Sequence, residues 1–172
     1  MARADGPGGW TVRPAGPADD AAIQALFAQT LTQAIWLAPG ADIDTDFKRN
    51  SGGETVWVCT GPDAREPGQV PGQTPGQTPG QVPDQVPGQV LGFVAVYAPG
   101  AFIHHLYVAP QAQGQGIGRA LLDSLADWLP KPWRLKCVVA NTAARAFYAR
   151  TGWVETERAM GSQGEYVLLR QY

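Results

Sequence analysis

The sequence predicts an α+β domain built on one mixed sheet, and three observations carry that expectation. Its 172 residues are 44% hydrophobic and 16% charged, enough to bury a substantial core and too apolar for a disordered chain. Runs rich in β-branched and aromatic residues come one after another in the first part, then alternate with stretches at helical spacing. The clearest of those helical stretches opens on a glycine-rich turn directly after a strand.

Taken in order, Thr11-Val12-Arg13 is a short first strand. Pro17-Ala18-Asp19-Asp20 opens a helix with Ile23, Leu26, Phe27 and Leu31 along one face. Residues 42–50 predict a second, shorter helix. Residues 54–59 and 90–97 read as two strands, and Pro99-Gly100 as a turn leading into a central strand over 102–108. Over 116–129, Ile117, Leu121, Leu125 and Trp128 recur at helical spacing until Pro130 stops them. A strand over 133–140 precedes a helix over 141–150 that Gly152 ends. Residues 153–159 and 165–169 form a last hairpin across the turn at 161–164.

Between the second and third strands, residues 67–90 repeat one tetrapeptide six times: PGQV, PGQT, PGQT, PGQV, PDQV, PGQV. Proline removes backbone donors, glycine raises the ordering cost, and little apolar surface offsets either. The segment reads as a flexible or partly polyproline-II loop that replaces a hairpin turn, since lengthening a surface loop adds little closure entropy. Its four-residue spacing does not suit domains that read PxxP. The expected organisation is a flexible N-terminus over 1–9 and a single domain over 10–172 interrupted by this loop.

A net charge of -2 supplies no general attraction to nucleic acid or to an anionic membrane. No apolar run approaches the roughly 20 residues that span a bilayer, and residues 1–10 lack a signal peptide's apolar stretch. Two Cys and two adjacent His are too few for a structural zinc site, so no metal is expected. These features point to the cytoplasm.

The stretch that carries chemistry runs from Leu106-Tyr107-Val108 through Gln113-Gly114-Gln115-Gly116-Ile117-Gly118-Arg119. The first turn of a helix has unpaired N–H groups and the positive end of the dipole. Glycines at 114, 116 and 118 leave that backbone open to an anion such as pyrophosphate, and Arg119 could add a phosphate contact. A tight strand-to-helix turn is the plainer reading of the same glycines. Two nucleotide motifs fail on particular residues. No lysine lies between Lys48 and Lys131 for a Walker loop, and the spacing G-x-G-x-G departs from the dinucleotide fingerprint.

Residues 113–118 resemble the Q/R-x-x-G-x-G/A signature of the GNAT superfamily of acyl-CoA-dependent N-acetyltransferases. A second stretch from Asn141 through Phe147-Tyr148 to Gly152-Trp153 is similar to that family's N-x-x-A-x-x-F-Y-x-x-x-G-F/W element. The resemblance implies a mostly antiparallel seven-stranded sheet flanked by helices and splayed between the fourth and fifth strands, with acetyl-CoA in the opening. It implies that backbone groups of Leu106, Tyr107 and Val108 border the pantetheine arm. The N–H groups from Gln113, Gly114, Gln115, Gly116, Ile117, Gly118 and Arg119 would then hold the pyrophosphate. Asn141 would contact the cofactor, and it also suits a helix N-cap; the two roles are compatible.

The same resemblance makes Tyr148 the general acid for the departing thiolate, against the alternative of a core aromatic beside Phe147. His104 stands where arylalkylamine N-acetyltransferases carry a catalytic histidine, and an imidazole suits the removal of a proton from an ammonium. A histidine hydrogen-bonded inside the sheet is the competing reading, and ordered water is the competing base. Strand alternation sets His104 and His105 on opposite faces, His105 being the weaker candidate. Asp42, Asp44, Asp46 and Glu54 could face a cationic amine, although acids at a helix start are ordinary dipole matching. Trp36 and Leu37, and across from them Glu155, Glu157 and Tyr166, would wall the acceptor side. The implied activity is acetyl transfer from acetyl-CoA to a primary amine of a small molecule or protein. The alternative is a non-catalytic acyl-CoA sensor or scaffold. A homodimer is left open.

Overall fold

A computed structural model describes residues 4–5, 9–41, 43–62 and 88–172. The expectations for Asp42, for most of the repeat and for most of residues 1–9 fall outside them.

The elements run β1 (Ala4–Asp5), β2 (Thr11–Pro14), α1 (Asp20–Thr32), α2 (Phe47–Asn50), β3 (Thr55–Thr60), β4 (Val90–Tyr97), β5 (Phe102–Val108), α3 (Ile117–Asp123), β6 (Trp133–Val138), α4 (Thr142–Arg150), β7 (Val154–Gly161) and β8 (Gly164–Gln171). They form the α+β fold expected, with one sheet in the order β1-β2-β3-β4-β5-β6-β8-β7. Ala4–Asp5 adds a two-residue edge to the seven strands foreseen. Every pairing is antiparallel except β5 with β6. The strands flanking the repeat pair as predicted, Val58 opposite Phe93, and Gly61 N–H donates to Gln89 C=O at 2.8 Å.

Helix α1 buries Ile23, Leu26, Phe27 and Leu31, the face its spacing announced. Phe27 meets Phe47 of α2 edge-on at 5.4 Å, and Phe47 meets Phe93 of β4 at 5.1 Å. Gln24 of α1 holds α2 from both sides of its amide, donating to Thr45 C=O and accepting from Phe47 N–H. The second helix is shorter than the 42–50 expected. Asp44 and Asp46 spend their carboxylates on the backbone amides of Asp46 and Arg49, a local alternative to helix that delays its start to Phe47.

Helix α3 also differs, ending at Asp123 rather than near Leu129. From Ser124 the chain continues as turns with i→i+3 bonds, Leu125 to Leu122 and Trp128 to Leu125, while the Ser124 hydroxyl donates back to Leu121 C=O. Leu125 and Leu129 stay buried in this tighter winding, so the helical spacing persists after the helix has ended. Gly92 lets α3 approach the sheet: a Cβ there would lie 2.9 Å from Tyr107 C=O and 3.3 Å from the Ile117 side chain.

The feature that positions the site is the parting of β5 from β6. They pair only at Phe102 with Arg134 and Ile103 with Leu135, while β6 stays on β8 from Trp133 to Val138. At the point of separation β5 carries a bulge. Ala95 of β4 faces His105 and Val96 faces Ile103, which leaves His104 as the extra residue. A bulge bends and twists its strand, here turning β5 away from β6.

Candidate functional site

Beyond the bulge one edge of β5 has no strand beside it. Ala109 N–H bonds Leu91 C=O at 2.8 Å. Alternate residues of an antiparallel ladder face opposite edges, so Tyr107 and His105 look to β4. The N–H and C=O of Leu106 and Val108 look to the vacated side. Along that side runs a cleft of about 630 Å³. His104, His105, Leu106 and Tyr107 line it from β5, Cys137 and Val138 from β6, and Asn141, Ala144 and Tyr148 from α4 and its cap. At its far end Trp36 and Leu37 of the loop after α1 meet Gln163 and Tyr166 of the last hairpin. An Ala38 N–H to Gln163 C=O bond of 3.3 Å ties those two walls together.

Tyr148 is 8% exposed and packs against Phe147 and Trp153 with ring centroids 5.2 and 5.5 Å apart. Burial, reinforced by the neighbouring Cys137 and Tyr107, pushes its phenol well above the ordinary tyrosine range. The hydroxyl has no hydrogen-bond partner among the described residues. A neutral phenol with an uncommitted proton therefore borders the cleft. Burial also raises Tyr107, to about 12, and the Cys137 thiol, to about 11, which makes the latter a poor nucleophile.

Alternation does not hold at the histidines, because the bulge interrupts it. Both rings reach the cleft, 6.2 Å apart. His105 sits among Phe27, Phe47 and Tyr107, where burial and the adjacent His104 lower it to about 4 against a weaker opposing effect of the Asn50 carbonyl. His104 is more exposed, lies between the rings of Tyr97 and Phe102, and bonds Glu54 through Nδ1.

Asn141 caps α4, its Oδ1 accepting from Ala144 N–H at 3.1 Å. Gly114 and Gly116 have φ of 78° and 82°, left-handed conformations that favour glycine, and nothing lies within 4 Å of a Cβ built on either. The helical ladder of α3 begins with Ala120 N–H to Gly116 C=O at 3.0 Å, so the amides before it have no intrahelical carbonyl. The side chains of the same stretch turn elsewhere. Gln113 donates to Val108 C=O, Gln115 to Gln111 C=O, and Arg119 pairs with Asp123 at 3.6 Å. Val108 and residues 113–119 are not part of the cleft wall itself.

Of the acids, Asp44 lines the cleft but is paired with Arg49. Glu155 is bound by Arg145 and Arg158, which hold its carboxyl below the usual range, and neither it nor Glu157 lines the cleft. Among the wall residues missed from the sequence are Lys136 and Cys137 of β6. The alternation of buried and open positions along Trp133-Arg134-Leu135-Lys136-Cys137 could have placed Cys137 inward.

The chain belongs to the acetyltransferase (GNAT) family, whose model matches residues 49–153. It is similar to a GCN5-related N-acetyltransferase from Kribbella flavida, at 20% identity and a TM-score of 0.62 over 94% of this chain and 96% of that one. It is also similar to yncA from Salmonella typhimurium, determined with its cofactor acetyl-CoA, at 19% identity and a TM-score of 0.59 over 94% and 92%. A third similar structure is the ribosomal-protein-S5-alanine acetyltransferase from Vibrio fischeri, at 13% identity and a TM-score of 0.63 over 99% and 96%. No curated protein matches the chain at a significant level. Among the described residues no helix is long and apolar enough to cross a membrane, and no group of three or more His, Cys, Asp or Glu could hold a metal.

Proposed function

We propose that the protein transfers an acetyl group from acetyl-CoA to a primary amine by direct attack within the β5/β6 cleft. The observation that carries this reading is the vacated edge of β5, which ends beside a protonated, unpaired phenol in a member of the acetyltransferase family. The pantetheine arm takes the place of a missing strand, its amides pairing with the N–H and C=O groups of Leu106 and Val108. The pyrophosphate rests on the open amides of residues 114–119, and Asn141 and Tyr107 border the arm. The amine enters between Trp36, Leu37 and Tyr166.

In the transfer step the amine nitrogen bonds to the acetyl carbon and the C–S bond breaks. His104 takes a proton from the ammonium, Tyr148 delivers one to the departing thiolate, and the second proton that the nitrogen sheds as it becomes the amide restores the phenol. Tyr148 suits that task because a phenol is protonated at neutral pH and so has a proton to give. The acceptor is an amine of a small molecule or of a protein chain.

The test is release of free thiol on mixing the protein with acetyl-CoA and a panel of primary amines. Turnover with at least one amine, lost in Tyr148→Phe, supports the reading. Acetyl-CoA binding without turnover on any of them replaces it with a sensor or scaffold role.

A further inference from the structure

Glu54 stands just before β3 and reads in the sequence as the start of that strand and as one of four acids that could face a cationic amine. Its surroundings set it apart. Its side chain is 2% exposed, and of its two oxygens Oε1 engages His104 Nδ1 while Oε2 is buried without a partner. A buried carboxylate with half its hydrogen-bonding capacity unused is expensive to keep, and a fold gains nothing from it that an apolar residue would not supply. The His104 side chain is 41% exposed and lines the cleft. The pair therefore spans the boundary between interior and cleft, with the carboxylate inside and the imidazole at the opening.

We infer that Glu54 is a positioning residue that holds His104 in the tautomer required of a base. An ionised carboxylate only accepts hydrogen bonds, so the proton it meets must sit on Nδ1. Nε2 then carries the lone pair, and it is the nitrogen left for the cleft. The bulge in β5 sets the geometry: Thr55 pairs with Val96 and Val96 with Ile103, so Glu54 and the extra residue His104 flank one strand. As Nε2 takes the ammonium proton, the carboxylate faces the resulting imidazolium and stabilises its charge. The inference rests on the transfer reading for its catalytic half, while the tautomer stands on the pair alone.

The experiment uses the full chain labelled with nitrogen-15 at its two histidines, so only His104 and His105 contribute, and His105→Phe separates them. At alkaline pH, where an ordinary imidazole is neutral, nitrogen NMR should find the His104 proton on Nδ1. In Glu54→Ala, and in Glu54→Leu should the alanine variant fail to fold, it should move to Nε2 in a large share of molecules. Both variants should lose at least about tenfold in kcat, within the roughly 10²- to 10⁴-fold that a general base contributes, with the KM for acetyl-CoA unchanged. Glu54→Leu should also melt no lower than the parent, since it replaces a buried charge with an apolar side chain of similar volume. A merely structural role predicts the opposite: a lower melting temperature and an unchanged kcat. A His104 proton on Nε2 in the parent, or an unchanged kcat in a folded variant, overturns the proposal and leaves acetyl transfer standing. A parent protein that turns over no amine defeats the transfer reading and the catalytic half with it; the NMR comparison then still decides whether Glu54 sets the tautomer.

Discussion

Removing one oxygen, in Tyr148→Phe, separates chemistry from packing. The ring keeps its contacts with Phe147 and Trp153, so the core around it is unchanged. The hydroxyl donates to no described residue, and an unpaired hydroxyl in apolar surroundings costs about 1–3 kcal/mol on mutational scales. Tyr148 retains a little exposure toward the cleft, at 8%, which places the gain from its removal at the low end, about 1 kcal/mol or less. For a chain of this length that is a rise in melting temperature of roughly 2–4 °C at most. Turnover should move the other way, by about 10²- to 10⁴-fold in kcat, the usual worth of a positioned acid. Acetyl-CoA affinity should hold, because the phenol meets the thioester only as the bond breaks. Differential scanning fluorimetry, calorimetric titration with acetyl-CoA and thiol-release kinetics read the three quantities separately. A folded variant with unchanged kcat would remove Tyr148 from the mechanism, and a large loss of stability would show that its hydroxyl has a structural partner.

Other expectations follow from single residues. His105 is lowered in the fold from 6.5 to about 4, so below pH 6.5 the unfolded chain binds the extra proton. Its neutral burial thus contributes stability that is complete above pH 6.5 and lost as pH falls through about 4. Melting temperature should decline over that interval, on the order of 3 kcal/mol of stability, and His105→Phe should flatten the decline; an equal slope in both proteins would refute it. Gly92→Ala puts a Cβ 2.9 Å from the Tyr107 backbone oxygen and should lower the melting temperature by several degrees, consistent with about 1–3 kcal/mol of overpacking; no shift would contradict the close approach of β5 at Gly92. Gly116→Ala and Gly116→Glu share about 1–2 kcal/mol of left-handed backbone strain. Only the second adds negative charge where phosphate is expected, so its acetyl-CoA affinity should be at least about tenfold weaker than the alanine variant's, and equal affinities would move the phosphate elsewhere.

Much of the fold was legible because local signals agreed with it. The β-branched flanks of the repeat were enough to pair β3 with β4. Asn141 and Gly152 bracketed α4, the first by accepting from Ala144 N–H and the second with a φ of 86°. The residues brought to the cleft, His104, Leu106, Tyr107, Asn141 and Tyr148, were named through a family resemblance; spacing alone would have left Tyr148 a core aromatic. Three things escaped the sequence for physical reasons. The bulge at His104 is a property of the register between two strands, which neither strand encodes alone. The end of α3 was hidden because Leu125 and Leu129 stay buried in the turns that follow it. Glu54 reads only as the start of a strand and one of four acids that could face a cationic amine, since its burial against His104 depends on strands distant in the chain.

The vacated edge of β5 is most directly tested by amide hydrogen exchange with and without acetyl-CoA. In the free protein the N–H groups of Leu106 and Val108 should exchange faster than those of Tyr107 and Ala109, which bond β4. Saturating acetyl-CoA should slow Leu106 and Val108 together with the first-turn amides of α3. Exchange at those positions that ignores acetyl-CoA, or Leu106 and Val108 already as protected as their neighbours, would contradict the cleft as the place where the coenzyme binds.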